Sequence, residues 1–158
     1  MPSFRLSLAA MTLLGLAVRL LAAYSNRDYP VIGDALTYHA EGGFLADGEG
    51  FRRLFEDVPT AEHPPGHIVL LAGFDLLGVD SLSGQKYLLG AVGSVTVLLT
   101  GLLGRRVGGD RVGLIAAGLA AVYPMLWLAD AALMSETTST LLFVACGLAA
   151  FRLADGPS

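Results

Sequence analysis

Several long stretches of this sequence contain no charged residue, and they limit what the chain can fold into. Among them are residues 6–18, 87–103 and 112–128. Each approaches the roughly 20 residues that an α-helix needs to cross the hydrocarbon layer of a bilayer. A surface helix of a soluble protein would carry polar side chains at a period of 3.6 residues, and these stretches do not. The sequence therefore predicts an all-α protein embedded in a lipid bilayer.

The charged residues are few and unevenly distributed. Only 15% of the 158 residues are charged, against about a quarter in ordinary soluble domains. Segment 24–63 holds eight acidic residues and three arginines. Proteins that bind nucleic acids need a basic surface, so this composition argues against a nucleic-acid partner.

The apolar stretches and the polar segments between them predict one partial transmembrane domain over 1–158. We expect four membrane-spanning helices, at about 5–24, 84–104, 112–130 and 137–153. A long polar loop at 25–63 follows the first helix, and a short apolar helix at 65–78 follows the loop. That short helix has too few residues for a comfortable span, so we interpret it as re-entrant or juxtamembrane.

The N-terminal helix and the arginines predict the orientation. Arg5 before an apolar run resembles a signal peptide, but Arg19 interrupts the run, so we expect an uncleaved helix. We expect Arg19 either to snorkel to the outer interface or to pair with an acid of the loop. If helix 65–78 does not span, one face collects Arg5, Arg105, Arg106, Arg111 and Arg152. The positive-inside rule then predicts a multi-pass cell-membrane protein with a cytoplasmic N-terminus and an outer loop 25–63.

Two carboxylates stand out at the predicted outer face. Asp34 follows Gly33 in a loop that is too long for a simple connection. It is either the N-cap of a helix or a functional acid, and the local pattern favours neither. Glu136 follows Ser135 at the end of an apolar stretch. It is either a functional acid or a carboxylate that the dipole of helix 137–153 favours, with Ser135 as the cap.

Three motifs occur along the chain in a fixed order: Gly33-Asp34 with Tyr38, then His63-Pro64-Pro65-Gly66, then Ser135-Glu136. Together with the derived topology, this order resembles that of the C-type membrane glycosyltransferases. The branch it is most similar to contains the dolichyl-phosphate-mannose–protein mannosyltransferases and their bacterial relatives. The similarity extends from residue 19 to about residue 153.

The resemblance implies an enzyme that moves a sugar from a polyprenyl-phosphate-linked donor to a hydroxyl of a protein, lipid or glycan acceptor. In that family an acid of the first outer loop is the catalytic base, and Asp34 stands at the matching position. Glu136 is then a second catalytic acid that acts on the acceptor or on a metal. We expect the substrate to be bound by Tyr38, Arg52, Arg53, Glu62 and His63.

Other interpretations of these residues remain open. The arginines and His63 would offset charge on the departing phosphate, but Arg52 and Arg53 fit a solvated surface and His63 fits a cap of the turn before the prolines. No residue is assigned to a metal. A divalent cation stays open, because the mannosyltransferase branch works without one and the oligosaccharyltransferase relatives use one.

The resemblance also predicts that the chain is the N-terminal portion of a longer enzyme, because family members continue with several more spanning helices. The alternative is a non-catalytic membrane module, either a transporter fragment or an assembly subunit. An acidic loop and packed helices would suit that role as well. The enzyme hypothesis predicts that Asp34, Glu62 and Glu136 converge on one outward cavity, and the module hypothesis predicts that they are dispersed.

Overall fold

A computed structural model of the chain describes residues 3–56 and 58–156. In this described part the chain forms six helices: α1 (Phe4–Ser25), α2 (Asp34–Ala46), α3 (Pro65–Leu76), α4 (Leu82–Val122), α5 (Pro124–Ala131) and α6 (Glu136–Ala154). The same residues contain no β-strand, only an isolated antiparallel bridge between Arg52 and Pro59. The predicted all-α class is confirmed.

Three of these helices, α1, α4 and α6, are long and apolar enough to cross a membrane. Helices α1 and α6 lie close to the predicted segments 5–24 and 137–153. The short helix α3 has 12 residues and follows Pro64, with Pro65 in its first turn, where the missing N–H of proline is tolerated.

Helix α4 is not straight, because its backbone leaves helical geometry at Gly108 and Gly109. Gly109 has a φ of 79°, a left-handed conformation that glycine adopts without steric penalty. The residues after this point fold back on those before it. A Cβ added to Gly113 would lie only 2.6 Å from the carbonyl oxygen of Gly101. The helix is therefore two closely packed segments joined at the glycine-rich turn, where the sequence predicted a loop between two spans.

The two ends of the helix bundle differ in character. At one end Arg105 lies over the ring of Phe4, with 4.4 Å between the guanidinium carbon and the ring centroid. At the same end Arg106 forms an ion pair with Asp155. The start of α1, the glycine turn and the end of α6 therefore meet at an arginine-rich end. Loop 26–33, α2, α3 and the connection between α5 and α6 lie at the other end.

Helices α2 and α3 pack together over that second end. A Cβ added to Gly42 of α2 would lie 2.9 Å from the Cβ of Leu71 of α3. Their apolar sides, the start of α4 and the α5–α6 connection share one buried cluster: Ala35, Tyr38, Ile68, Leu71, Phe74, Leu89 and Leu133. This cluster fixes the helix that carries Asp34 against the membrane-type helices.

Lys86 ties the chain that leaves α1 to the start of α4. Its side chain is 2% exposed, and its ammonium nitrogen donates to the carbonyl oxygens of Asn26 at 2.6 Å and Tyr29 at 3.0 Å. A lysine at this position satisfies carbonyls beyond the last turn of a helix, where a cation is favoured. Lys86 therefore holds the beginning of the long loop in place.

Arg19 and Asp130 form an ion pair inside the bundle. The Nε of Arg19 donates to Oδ2 of Asp130 at 2.7 Å, and both side chains are at most 3% exposed. Further N–H groups of Arg19 bond the carbonyl oxygens of Gly15, Ala120 and Ala121, and Asp130 accepts from the Thr137 hydroxyl at 2.6 Å. Both expectations for Arg19 are wrong: the side chain does not snorkel, and its partner belongs to α5 rather than to the loop.

Gly93 leaves the space that this ion pair occupies. A Cβ at position 93 would overlap Oδ2 of Asp130 and lie 2.6 Å from Nε of Arg19. Both atoms are held by buried hydrogen bonds, so we expect Gly93→Ala to lower the free energy of unfolding by about 1–3 kcal/mol. Chemical denaturation in detergent would measure it.

Gly73 provides the matched control, because it is also helical but a Cβ there meets no atom within 4 Å. Gly73→Ala should raise the free energy of unfolding by about 0.5–1 kcal/mol through helix propensity. Equal effects of the two substitutions would contradict the packing of Gly93 against the ion pair.

Candidate functional site

Helix α2 begins at Asp34 and places its carboxylate at the surface. The N-cap is Gly33, which has a φ of 59° and no side chain that could form a cap hydrogen bond. The interpretation of Asp34 as the N-cap is therefore wrong by one residue. As the first helical residue, an exposed carboxylate is still favoured by the positive end of the helix dipole. This leaves the Asp34 side chain available to other groups at the helix start.

An open cleft of about 340 Å³ lies between the first turn of α2 and the segment that leads to α3. Four predicted site residues line it together: Asp34, Arg53, Glu62 and His63. Thr37 adds a hydroxyl to the same wall and Phe55 an exposed aromatic ring. The long loop thus folds back on α2, so that residues nearly 30 positions apart share one cleft.

Arg53 is held in the cleft by two carboxylates. Its Nη1 lies 3.0 Å from Oε2 of Glu56, and its Nη2 lies 2.8 Å from Oε2 of Glu62. The hydrogen bond to Glu56 and the charges of Glu56 and Glu62 raise the pKa of Arg53 above its ordinary value. A phosphate that bound Arg53 would have to compete with these carboxylates.

Arg52 has a different environment. Its Nε lies 3.8 Å from Oε2 of Glu49 and donates to the Glu49 carbonyl oxygen at 3.3 Å. Of the two adjacent arginines, Arg53 is the one that lines the cleft among the described residues. From the sequence, both arginines had the same predicted role. In the structure they differ because successive side chains of an extended segment point to opposite sides.

His63 connects the cleft to a buried carboxylate. Its Nδ1 lies 3.2 Å from Oε1 of Glu41, whose side chain is completely buried. The ring nitrogen and the carboxyl oxygen share this hydrogen bond. The contact orients the imidazole.

Tyr38 forms a bridge between α2 and the α5–α6 connection. Its ring is 4% exposed and packs edge-on against His63 and His67, with 5.0 Å between ring centroids in each case. Its hydroxyl donates to Oγ of Ser135 at 3.3 Å. The predicted substrate-binding tyrosine therefore forms a wall behind the cleft, and its polar end is engaged with the protein.

Glu136 lies apart from the Asp34 cleft. It is the exposed first residue of α6 and lines a narrow space beside Arg19, Asp130 and Thr137. Ser135 is the N-cap of α6 but makes no side-chain cap hydrogen bond, because its hydroxyl meets Tyr38 instead. The structure thus brings Asp34 and Glu62 together and leaves Glu136 in a second space behind Tyr38.

Two buried polar residues beside the cleft, Glu41 and His67, were not predicted. Glu41 was detectable in principle from helical spacing, because Asp34, Tyr38 and Glu41 are separated by four and three residues and so lie on one side of α2. It was missed because it lies among small residues. His67 has no such signal, since it lies inside an apolar run and His63 precedes helix α3.

The hydrogen bonds of His67 define its tautomer. Nε2 lies 3.2 Å from the carbonyl oxygen of Leu133, which can only accept, so Nε2 carries the proton. Nδ1 then accepts from the Thr138 hydroxyl at 2.8 Å. Burial lowers the pKa of His67 below its ordinary 6.5, against smaller opposing effects of the Leu133 carbonyl and the Glu136 charge. The neutral imidazole therefore joins α3 to α6.

We expect acid to weaken this joint. Because the pKa of His67 is lower in the folded state than in the unfolded state, the unfolded chain takes up the proton first as the pH falls below 6.5. The contribution of His67 to stability should be complete above pH 6.5 and decrease below it. Denaturation at pH 7.5 and 5.5 measures the change, and His67→Asn should show a smaller acid loss. An equal loss in both proteins would contradict this assignment.

Comparison with known proteins identifies no relative of this chain. No protein-family model, curated protein or solved structure matches the chain. Within residues 3–56 and 58–156, no three His, Cys, Asp or Glu side chains are placed to hold a metal ion.

Proposed function

We propose that this chain carries the catalytic loop of a membrane glycosyltransferase. The enzyme would move a sugar from a polyprenyl-phosphate donor to a hydroxyl of a protein, lipid or glycan acceptor on the outer face of the cell membrane. The observation that carries the proposal is the cleft in which the exposed Asp34 meets His63, Arg53 and Glu62. A carboxylate base with an arginine and an imidazole nearby suits a displacement at a sugar phosphate.

The proposed topology has four membrane spans. The turn at Gly108 and Gly109 would divide α4 into two spans, the second continued by α5, between α1 and α6. The arginine-rich end would then face the cytoplasm together with the N-terminus. Helix α3 would lie at the outer surface as a juxtamembrane or re-entrant helix, since its 12 residues are too few for a span.

Exposed apolar side chains beside the cleft support contact with a lipid donor. Ile32, two residues before Asp34, is 79% exposed, and Phe55 in the cleft wall is 89% exposed. Apolar surfaces of this kind next to polar groups mark membrane or ligand contacts. A donor with its chain in the bilayer and its phosphate at the surface would meet these side chains first.

The proposed reaction is a single displacement with inversion at the sugar. The acceptor oxygen attacks C1 while its proton passes to the carboxylate of Asp34. The bond between C1 and the phosphate oxygen breaks, and its electron pair leaves with the lipid phosphate. His63, and Arg53 once released from Glu56 or Glu62, would stabilise the negative charge on that phosphate.

One observation favours the alternative of a non-catalytic membrane module. Glu136 lines a separate space from Asp34 and Glu62, so the three acids do not share one cavity. A displacement with inversion needs only one carboxylate, and for that reason we prefer the enzyme.

The test is a transfer assay in membranes. The native protein would be expressed in a host that lacks its gene, and the membranes supplied with radiolabelled polyprenyl-phosphate sugars of several kinds. We expect label to move from the donor into an acceptor fraction. Expression at a normal level without transfer from any donor would support the non-catalytic module instead.

A further inference from the structure

Glu41 is a buried acid of helix α2, and the two oxygens of its carboxyl group differ in their contacts. Its side chain is 0% exposed, and Oε1 is engaged by His63. Among the described residues, Oε2 has no hydrogen-bond partner. A carboxylate oxygen that is removed from water and left without a donor carries a free-energy penalty, so native proteins supply a donor to such an atom.

A second cavity lies beside this carboxylate. It measures about 260 Å³ and is lined by Glu41, Thr60 and His63 together with the apolar side chains of Phe51 and Ile68. A water molecule occupies about 30 Å³ in the liquid, so the space is far larger than one water needs. The cavity therefore fits a ligand that offers both an apolar side and hydroxyl donors.

We propose that this cavity binds the sugar ring of the donor, with Oε2 of Glu41 as the acceptor for one ring hydroxyl. The inference rests on the proposed function and adds the residue that selects the sugar. A pyranose or furanose ring combines hydroxyl donors with a face of C–H groups that suits Phe51. The carboxylate disfavours an anionic ligand in the same cavity, so the phosphate would stay outside it.

His63 joins this cavity to the cleft of Asp34. The imidazole lines both spaces, and Glu41 holds its Nδ1. A ring seated beside Glu41 would thus lie next to the cleft in which the base and the acceptor meet. Glu41 acts through recognition of the ring and through the orientation of His63, and it takes no proton from the acceptor.

The first experiment compares donors that lack single hydroxyl groups. The kcat/KM for transfer would be measured with the best polyprenyl-phosphate sugar and with its monodeoxy analogues. Loss of a hydrogen bond to a charged group should lower kcat/KM by about tenfold to a hundredfold for one analogue in the native protein. In Glu41→Leu the penalty for that analogue should fall to less than about threefold. Asp47→Asn, which changes an exposed acid at the end of the same helix, should keep it.

The ratio between donors separates recognition from orientation. A disturbed His63 would lower the transfer of every donor equally, whereas loss of the hydroxyl acceptor changes only the ratio. A Glu41→Leu protein that keeps the full penalty for the same analogue would overturn the inference while leaving the transferase intact.

A binding measurement covers the case in which Glu41→Leu does not fold or no donor is transferred. Saturation-transfer NMR on the purified protein in detergent would use free mannose, glucose, galactose and arabinose as probes. Ala61→Phe should fill the cavity from the loop and abolish the signal of the sugar that binds the native protein. Binding without transfer would sustain the cavity and reject the transferase. No binding of any probe, or equal binding by Ala61→Phe, would reject the sugar site.

Discussion

Asp34→Asn is expected to lower glycosyl transfer by about 10²- to 10⁴-fold, the contribution that a positioned general base makes. The amide keeps the size of the side chain and its place at the first position of α2, but it cannot take the proton of the acceptor. Asp34 is exposed and serves as no cap, so the substitution should leave the fold unchanged. Transfer from labelled polyprenyl-phosphate sugars, at equal expression in membranes, measures the effect.

Asp28→Asn is the matched control for this substitution. Asp28 is a second exposed carboxylate of the same loop, it pairs with Arg27 at 3.3 Å, and its side chain is 84% exposed. It does not line the cleft in the described part of the chain, so transfer should stay within about twofold of the native level, as expected for a solvated charge. Equal losses in the two variants, or native transfer by Asp34→Asn, would remove Asp34 from the mechanism.

The helices were predictable because their signal is local. A run of 13 or more uncharged residues is readable from the sequence, and α1 and α6 lie where the apolar stretches placed them. Gly108 and Gly109, where helix α4 turns back, lie between the predicted spans 84–104 and 112–130. Helix α2 was only partly predictable. The hydrophobic residues of α2 form no clear stripe. The helix follows Gly33 in a left-handed conformation, which the sequence does not predict.

The membership of the cleft was predictable in part. The motifs identified Asp34 and His63, and the resemblance added Arg53 and Glu62. Their meeting depends on how the segment before α3 folds back over α2, which packing determines. Tyr38 lies behind the cleft, because its helical position turns the ring towards His67 of α3 and its hydroxyl towards Ser135. Spacing along the chain gives the face of a helix, and only tertiary packing decides what that face meets.

Long-range polar pairs were the least predictable feature. Arg19 and Asp130 are 111 positions apart, and neither position has a local pattern that announces its partner. From the sequence alone, snorkelling to the interface was the simplest prediction for an arginine in an apolar helix. The structure favours pairing because Gly93 opens a space at the crossing of α1 and α4, and Thr137 completes the bonds of the carboxylate.

Removal of one partner of this ion pair should destabilise the fold strongly. Arg19→Met leaves Asp130 buried without its cation, and we expect the free energy of unfolding to fall by about 3–5 kcal/mol. Denaturant titration in detergent, followed by the fluorescence of Trp127, measures it. Arg27→Met is the control, since the Arg27–Asp28 pair is exposed and its loss should change stability by at most about 1 kcal/mol.

The double variant Arg19→Met with Asp130→Leu separates the ion pair from the packing around it. Replacement of both buried charges by apolar side chains of similar volume is often neutral or stabilising, so the double variant should recover most of the loss caused by Arg19→Met. The coupling energy of the cycle then measures the penalty of a lone buried charge. Losses that simply add, or a single loss as small as that of Arg27→Met, would contradict a buried pair.

The double variant also tests the role of the narrow space that Asp130 and Glu136 line together. If stability recovers and glycosyl transfer is unchanged, this space belongs to the framework of the protein rather than to the reaction.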